Sequence, residues 1–382
     1  MSFYEKIFSA PNTKKEFRII NENETLLGRG DNKQESEKNK QLRSGFEAIL
    51  QTLQKDPEVL KQKIERLKSL PDYDGILGKL SPFLSEVHWE MLTVLESYDT
   101  TTFNHSLRVT NFVHTIATGS GATEAYLESR IATEKSSFEK LYTASLFHDI
   151  GKTAIPKHIL HDDHSRREWG KRANIWAETH GNAHHFNQQK LETLDEVELD
   201  NYFMQIHTIS KSDPLNIVPI ETFFDESDLL LLREHGISPH DTFRKVLECH
   251  EKATNAILLS RKIMYIAADI ASHHHDYERK PIQLEHYKTE TSALRLGFEL
   301  SLLRSMDVFD ALTSSDRSYK TPYHPLLALE ILIKEAEAEF TEQELTKHVV
   351  SDLYAMLKTE GQDIPTTESE KQARIKILRF ID

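Results

Sequence analysis

The chain has 382 residues, room for one large domain with additions or for roughly two to three smaller ones. Its 61 Asp and Glu outnumber 47 Lys and Arg, and the formal charge of −14 argues against generic binding to nucleic acid or an anionic membrane, so a phosphate-bearing ligand would need a local cationic device. Only 13 Gly and 12 Pro disfavour a turn-rich sandwich or barrel and favour an all-α fold, while the single cysteine, Cys249, excludes an internal disulfide and fits a reducing compartment.

Met1 to Lys15 holds no apolar run long enough for a signal-peptide core, and no stretch approaches the roughly 18 apolar residues of a membrane span, so a soluble cytoplasmic protein is expected. Residues 1–85 contain 15 Lys/Arg and 13 Asp/Glu, a balance of +2 that leaves −16 to the remainder and marks them as a separate accessory region. Within it, Phe17 to Ile20 reads as a short strand and Asn21 to Lys40 as a loop. Leu26 to Gly30 offers two glycines without a following Gly-Lys-Ser/Thr, so it is read as a turn and not a phosphate loop. Leu42, Phe46, Leu50, Leu53, Leu60, Ile64 and Leu67 predict two helices broken at Pro57.

From about residue 86 the pattern is helical almost throughout. Five apolar stripes at spacings of three and four stand out: His105, Val109, Phe112 and Ile116; Leu141, Ala144, Ser145 and His148; Val246, His250, Ala253 and Ile257; Ile263, Ile266, Ala267, Ile270 and His274; and Leu296, Leu300, Leu303, Asp307 and Ala311. Residues 161–236 are less regular, with seven histidines and the Pro-containing segment Ser212 to Pro219, and read as an insertion between core helices. There, His180, His184 and His185 could hold an extra metal, although a solvated polar loop is the plainer reading. Trp169, Ala173 and Trp176 form an apolar stripe that suits insertion core, or a docking helix or lid.

The chain has 20 histidines, and several fall on these core-facing stripes with a carboxylate. His105, the pair His148-Asp149, His250, the run His273-His274-His275 and Asp307 would all be buried in one helical region, which is costly unless a cation holds them. Neighbouring side chains on a helix diverge by about 100°, so His148 and Asp149 suit two metals better than one, with Asp149 as the natural bridge. Imidazole and carboxylate ligands without thiolate point to Fe or Mn, with Zn, Co or Ni as alternatives. A thiolate dyad of Cys249 and His250 is disfavoured by the same divergence, and Cys249 suits a packed small hydrophobe.

His148-Asp149-Ile150-Gly151-Lys152, with His105 to Val109 upstream, resembles the HD superfamily of metal-dependent phosphohydrolases. Met306 to Tyr319 is similar to a segment of one branch, the HD-GYP cyclic di-GMP phosphodiesterases of bacterial signalling. His250 to Leu258 resembles that branch's third-histidine helix, and His274-His275-Asp276 its His-His-Glu element. The resemblance covers residues 100–160 and 237–345. It implies a helical bundle around a dinuclear metal site within 86–358, followed by a tail, 359–382. The implied metal ligands are His105, His148, Asp149, His250, His274, His275 and Asp307. Lys152 would point at a substrate phosphate, and Arg317 would be the basic residue near the phosphates. A one-residue shift would exchange His275 for His273.

The chain also departs from that branch. Where the family continues into Asp-Gly-x-Gly-Tyr-Pro, Tyr277 to Pro281 lacks the glycines, so the family's substrate loop and any partner that reads it are in doubt. Thr101 stands where some members carry a glutamate for a third metal, which favours two ions. The implied reaction is hydrolysis of a cyclic dinucleotide, most naturally cyclic di-GMP, by a metal-bridging hydroxide, with Lys152 and Arg317 countering transition-state charge. Three other readings stay open: another HD nucleotide phosphohydrolase, a nucleotide-sensing module with a degenerate site, and a dinuclear-iron oxygenase. A second copy or a signalling partner would dock through 1–85 or 161–236.

Overall fold

The computed structural model describes residues 39–70, 75–119, 121–131, 138–160, 219–234, 236–263, 265–275, 290–315 and 322–382, with Lys171 and residues 192–194 besides. The expectations for Phe17 to Ile20, Leu26 to Gly30, Trp169, Ala173, Trp176, His180, His184, His185, Tyr277 to Pro281 and Arg317 lie outside the described residues.

The fold is all-α. Among the described residues there is no strand, only a single antiparallel bridge between Pro219 and Thr242. Helix α1 (Ser44–Gln54) buries Phe46, Leu50 and Leu53, and α2 (Pro57–Ser69) buries Leu60 and Leu67, each on one stripe. The break expected at Pro57 is a helix start. Proline fits the first turn, where its missing N–H has no partner to lose, and the Asp56 carboxylate accepts from the Val59 N–H at 3.2 Å.

A short α3 (Ile76–Leu80) leads to α4 (Glu86–Tyr98), which buries Trp89, Met91, Leu92, Thr93, Val94 and Leu95 and so lies inside the bundle. Asp99 then caps α5 (Thr100–Thr118), accepting from the Thr102 N–H at 2.8 Å. Helices α6 (Ala122–Ile131) and α7 (Phe138–Phe147) follow, and α7 runs through a turn into a 3-10 segment, Ile150–Ala154, and a short α8 (Lys157–Leu160). After α9 (Glu226–Glu234) come α10 (Phe243–Ser260), α11 (Tyr265–Ser272), α12 (Glu290–Thr313), α13 (Pro325–Glu337), α14 (Gln343–Glu360) and α15 (Glu368–Ile381).

One buried apolar cluster runs from Phe46 through α4, α5, α7, α11, α12, α13 and α14 to Ala373 and Ile377 of α15. Residues 359–382, expected as a tail, therefore add a packed helix to the core. A capping box holds its start: Thr367 Oγ1 accepts from the Glu370 N–H at 3.2 Å, and the Glu370 carboxylate accepts from the Thr367 N–H at 3.0 Å. The described part of the accessory region is equally embedded, since α1 and α2 pack on α4. At Gly45, α1 approaches the 3-10 segment so closely that a Cβ would meet the Thr153 carbonyl oxygen at 2.1 Å.

A second, smaller cluster joins Leu42, Ile155 and Ile159 to Ile220, Phe223, Leu229, Leu232 and Ile237 and to Val246, Cys249 and Ala253 of α10. The end of the expected insertion is thus core packed beneath α10. Cys249 is buried there, as the packed-hydrophobe reading expected. No helix among the described residues is long and apolar enough to cross a membrane.

Candidate metal centre

Five elements deliver their metal-capable side chains to one place. His105 comes from α5, His148 and Asp149 from the turn after α7, His250 from α10, His274 and His275 from the turn after α11, and Asp307 from α12. The apolar stripes predict this convergence, because each carries its polar residue on the buried face. Two stripes differ in detail. His148 and His274 stand just beyond their helices, and Ile266, expected inward, is exposed, with Ala267, Ile270 and Ala271 lining the buried side of α11.

Both histidines stay in register because each ring is bonded back to the helix it leaves. His148 Nδ1–H donates to the Ser145 carbonyl at 2.7 Å and His274 Nδ1–H to the Ala271 carbonyl at 2.7 Å. His105 Nδ1–H donates to Asp310 Oδ2 at 2.7 Å. A carbonyl or a carboxylate can only accept, so the proton of each neutral ring sits on Nδ1 and the Nε2 lone pair is left facing the cluster.

Those lone pairs meet. His105 Nε2 stands 3.3 Å from His148 Nε2 and 2.9 Å from Asp307 Oδ1. His148 Nε2 is 3.6 Å from Asp149 Oδ2 and 3.8 Å from Asp307 Oδ1, while His250 Nε2 is 3.6 Å from Asp149 Oδ1. The buried His274 Nε2 has no hydrogen-bond partner among the described residues. Acceptors facing acceptors at these separations repel unless a cation lies among them, and donors roughly 2.1 Å from one first-row ion stand about 3 Å apart when adjacent. The donor set therefore fits divalent metal ions.

Three overlapping groups each place one donor atom per residue within 4.8 Å: His105, His148 and Asp307; His148, Asp149 and His274; and His250, His274 and His275. The cluster thus has a carboxylate-rich half and an imidazole-rich half, with Asp149 facing both. Its Oδ2 lies 3.7 Å from His105 Nε2 and its Oδ1 faces His250. The His250 and His275 rings are 5.2 Å apart and the His274 and His275 rings 3.9 Å. His273 instead turns back to the Asp269 carbonyl at 2.8 Å with a partly exposed side chain, so His275 rather than His273 joins the cluster.

Ionisation follows from burial and from the neighbours. Burial, aided by adjacent imidazoles, holds His274 and His275 well below the ordinary histidine pKa, in the neutral form that binds metal. His148 is lowered by burial, against the pull of Asp149 and Asp307. Burial alone would raise Asp149 and Asp307. In the metal-free protein Lys152 and neighbouring imidazole charge outweigh it at Asp149, and a proton on His105 Nε2, standing where a cation would, does so at Asp307, so both stay well below the usual carboxylate range. Lys152 Nζ bonds Asp149 Oδ2 at 2.6 Å while remaining partly exposed.

Three supporting residues escaped the sequence reading. Asp310 orients His105 and is itself gripped by Arg108, whose Nε and Nη2 donate to its two oxygens at 2.6 and 2.9 Å. The sequence signal was present: Arg108 and Asp310 lie one turn beyond His105 and Asp307 on their helices. Thr254 on α10 had no such signal. Its hydroxyl donates to the His148 carbonyl at 3.0 Å and accepts from the Gly151 N–H at 3.0 Å, which ties the His148-Asp149 turn to the helix that carries His250. Gly151 permits the approach, since a Cβ there would meet the His250 carbonyl oxygen at 1.9 Å.

The described residues thus form an all-α bundle with a buried cluster of histidines and aspartates that could hold metal ions. Residues 102–200 match the family model of the HD domain. The match includes His105, His148, Asp149 and Lys152, and it supports the HD-domain phosphohydrolase superfamily and its metal-dependent hydrolases generally. Comparison with curated proteins and with solved structures gives no match.

Proposed function

We propose that this protein is a metal-dependent phosphodiesterase that opens a cyclic dinucleotide, with cyclic di-GMP the first substrate to test. The observation that carries the reading is the convergence of seven metal-capable side chains from five elements, with imidazole lone pairs and carboxylate oxygens facing one another at 2.9 to 3.8 Å. His105, His148, Asp149 and Asp307 would hold one ion and Asp149, His250, His274 and His275 another. Bound there, two divalent ions would supply Lewis acidity for phosphate oxygens and lower the pKa of water.

The chain's own residues have distinct tasks. Asp149 is held ionised and faces both halves, so it can fix their spacing. Lys152 is partly exposed beside Asp149, and its ammonium group is the described cation best placed to meet a phosphate oxygen at the cluster's edge. Arg317 is assigned the second phosphate contact on the family resemblance alone.

Purified protein loaded anaerobically with Mn2+ or Fe2+ should convert cyclic di-GMP to a linear product, followed by chromatography. Asp149→Asn should reduce the rate by at least about a thousandfold, roughly 4 kcal/mol of barrier. No turnover of any cyclic dinucleotide by protein with both ions bound would overturn this substrate. A second reading, hydrolysis of a nucleotide mono- or triphosphate by the same centre, is favoured by the missing glycines at Tyr277 to Pro281, and turnover in a nucleotide panel would select it.

A further inference from the structure

Each half of the cluster has an arginine–carboxylate pair behind it. In the carboxylate-rich half, Arg108 grips Asp310, which orients His105. In the imidazole-rich half the pair is Arg304 and Glu335. Arg304 is buried on α12, one turn before Asp307, and its Nε and Nη2 donate to the two carboxylate oxygens of Glu335 on α13 at 3.1 and 2.7 Å. Its third nitrogen, Nη1, donates to the main-chain carbonyl of His274 at 3.4 Å.

The location gives this contact its significance. His274 and His275 follow the last helical residue of α11, Ser272, where the backbone has left the helical ladder. The His274 ring is tied to α11 through Ala271, but that bond does not fix the turn relative to α12, which brings Asp307 to the same cluster. Arg304 makes that link, and Glu335 holds the guanidinium in one orientation through a planar, two-point grip. A buried arginine pair is a weak source of net stability, so its geometry is the more informative feature.

We propose that Arg304, oriented by Glu335, is a positioning residue for the imidazole-rich half of the site, fixing the His274-His275 turn so that both rings face His250. This rests on reading the cluster as a two-metal centre.

The test is equilibrium titration of metal-free, full-length protein with Mn2+, by calorimetry and by the EPR signal of free Mn2+. Circular dichroism of each variant checks folding. Wild-type protein should bind two ions. Arg304→Met should keep one at wild-type affinity and weaken the other by about 10–100-fold, the range expected when support behind a ligand is lost. Arg304→Lys and Glu335→Gln should weaken the same ion by less. His275→Ala should cost the affected ion less in the Arg304→Met background than in wild type, whereas adding His105→Ala should weaken the other ion as much as it does in wild type.

Wild-type protein that binds no Mn2+ would refute the metal reading itself. Two ions bound normally by folded Arg304→Met, or both weakened equally, would overturn the positioning role and leave the metal reading standing. If Arg304→Met does not fold, Arg304→Lys and Glu335→Gln decide by the same criterion of one ion weakened and one spared.

Discussion

Gly151→Ala is the most informative small change in this protein, because Gly151 is the point where the His148-Asp149 turn touches the helix bearing His250. A Cβ at this position would lie 1.9 Å from the His250 carbonyl oxygen, 2.4 Å from the Thr254 amide nitrogen and 2.6 Å from Thr254 Oγ1. Ordinary contact begins near 3.4 Å, so the turn and α10 must separate by about 1.5 Å, and two of the three obstructing atoms are backbone. Overpacking of this kind costs roughly 1–3 kcal/mol. The same displacement moves His250 away from Asp149 by several times the ±0.2 Å tolerance of a metal site. Urea unfolding of the metal-free variant should show a loss of about 2–3 kcal/mol, and Mn2+ titration should show at least about a tenfold weaker second ion. Wild-type stability together with wild-type metal affinity would refute the argument that close backbone approach at Gly151 sets the spacing of the cluster.

Thr254→Val removes the hydroxyl that serves both the His148 carbonyl and the Gly151 N–H and leaves two buried backbone groups unpaired, so unfolding should cost about 2 kcal/mol less, measured by denaturant titration. Asp352→Ala removes the side chain that accepts from the Ala122 and Thr123 N–H groups at 2.9 and 2.8 Å, and should destabilise the start of α6 by about 1 kcal/mol, seen as a lower thermal midpoint. In metal-free protein the folded-state pKa values of His148, His274 and His275 lie below the unfolded value of 6.5, so the unfolded chain binds protons first as pH falls. Stability should therefore decline as pH drops below about 6.5, and further below about 3.8 as Asp149 and Asp307 protonate, whereas a midpoint flat between pH 7.5 and 5.5 would contradict neutral buried rings.

Much of the site was legible because helical periodicity is a local signal. His105, His250 and Asp307 each occupy the inward position of an amphipathic stripe, and the structure buries all three. His148 and His274 were legible for a related reason: their rings bond carbonyls three residues back, which carries the inward direction one step past the helix end. What local pattern could not convey were pairings between distant elements. Thr254 reaches a carbonyl 106 residues away, and Arg304 needs Glu335 31 residues on. Neither pairing leaves a mark on the periodicity of its own helix. The packed helix at the C-terminus was missed because its apolar face is thin, with Ala373 and Ile377 its only fully buried apolar residues. Ile266 illustrates the reverse error, since an apolar residue at the expected spacing points outward while alanines line the close contact within α11's buried side.

The central claim is that one buried cluster holds two metal ions, and anomalous diffraction from crystals of protein loaded with Mn2+ or Fe2+ tests it most directly. The account predicts two anomalous peaks, one among His105, His148, Asp149 and Asp307 and the other among Asp149, His250, His274 and His275. Fully loaded crystals with no peak in the cluster, or with ions only elsewhere, would contradict it.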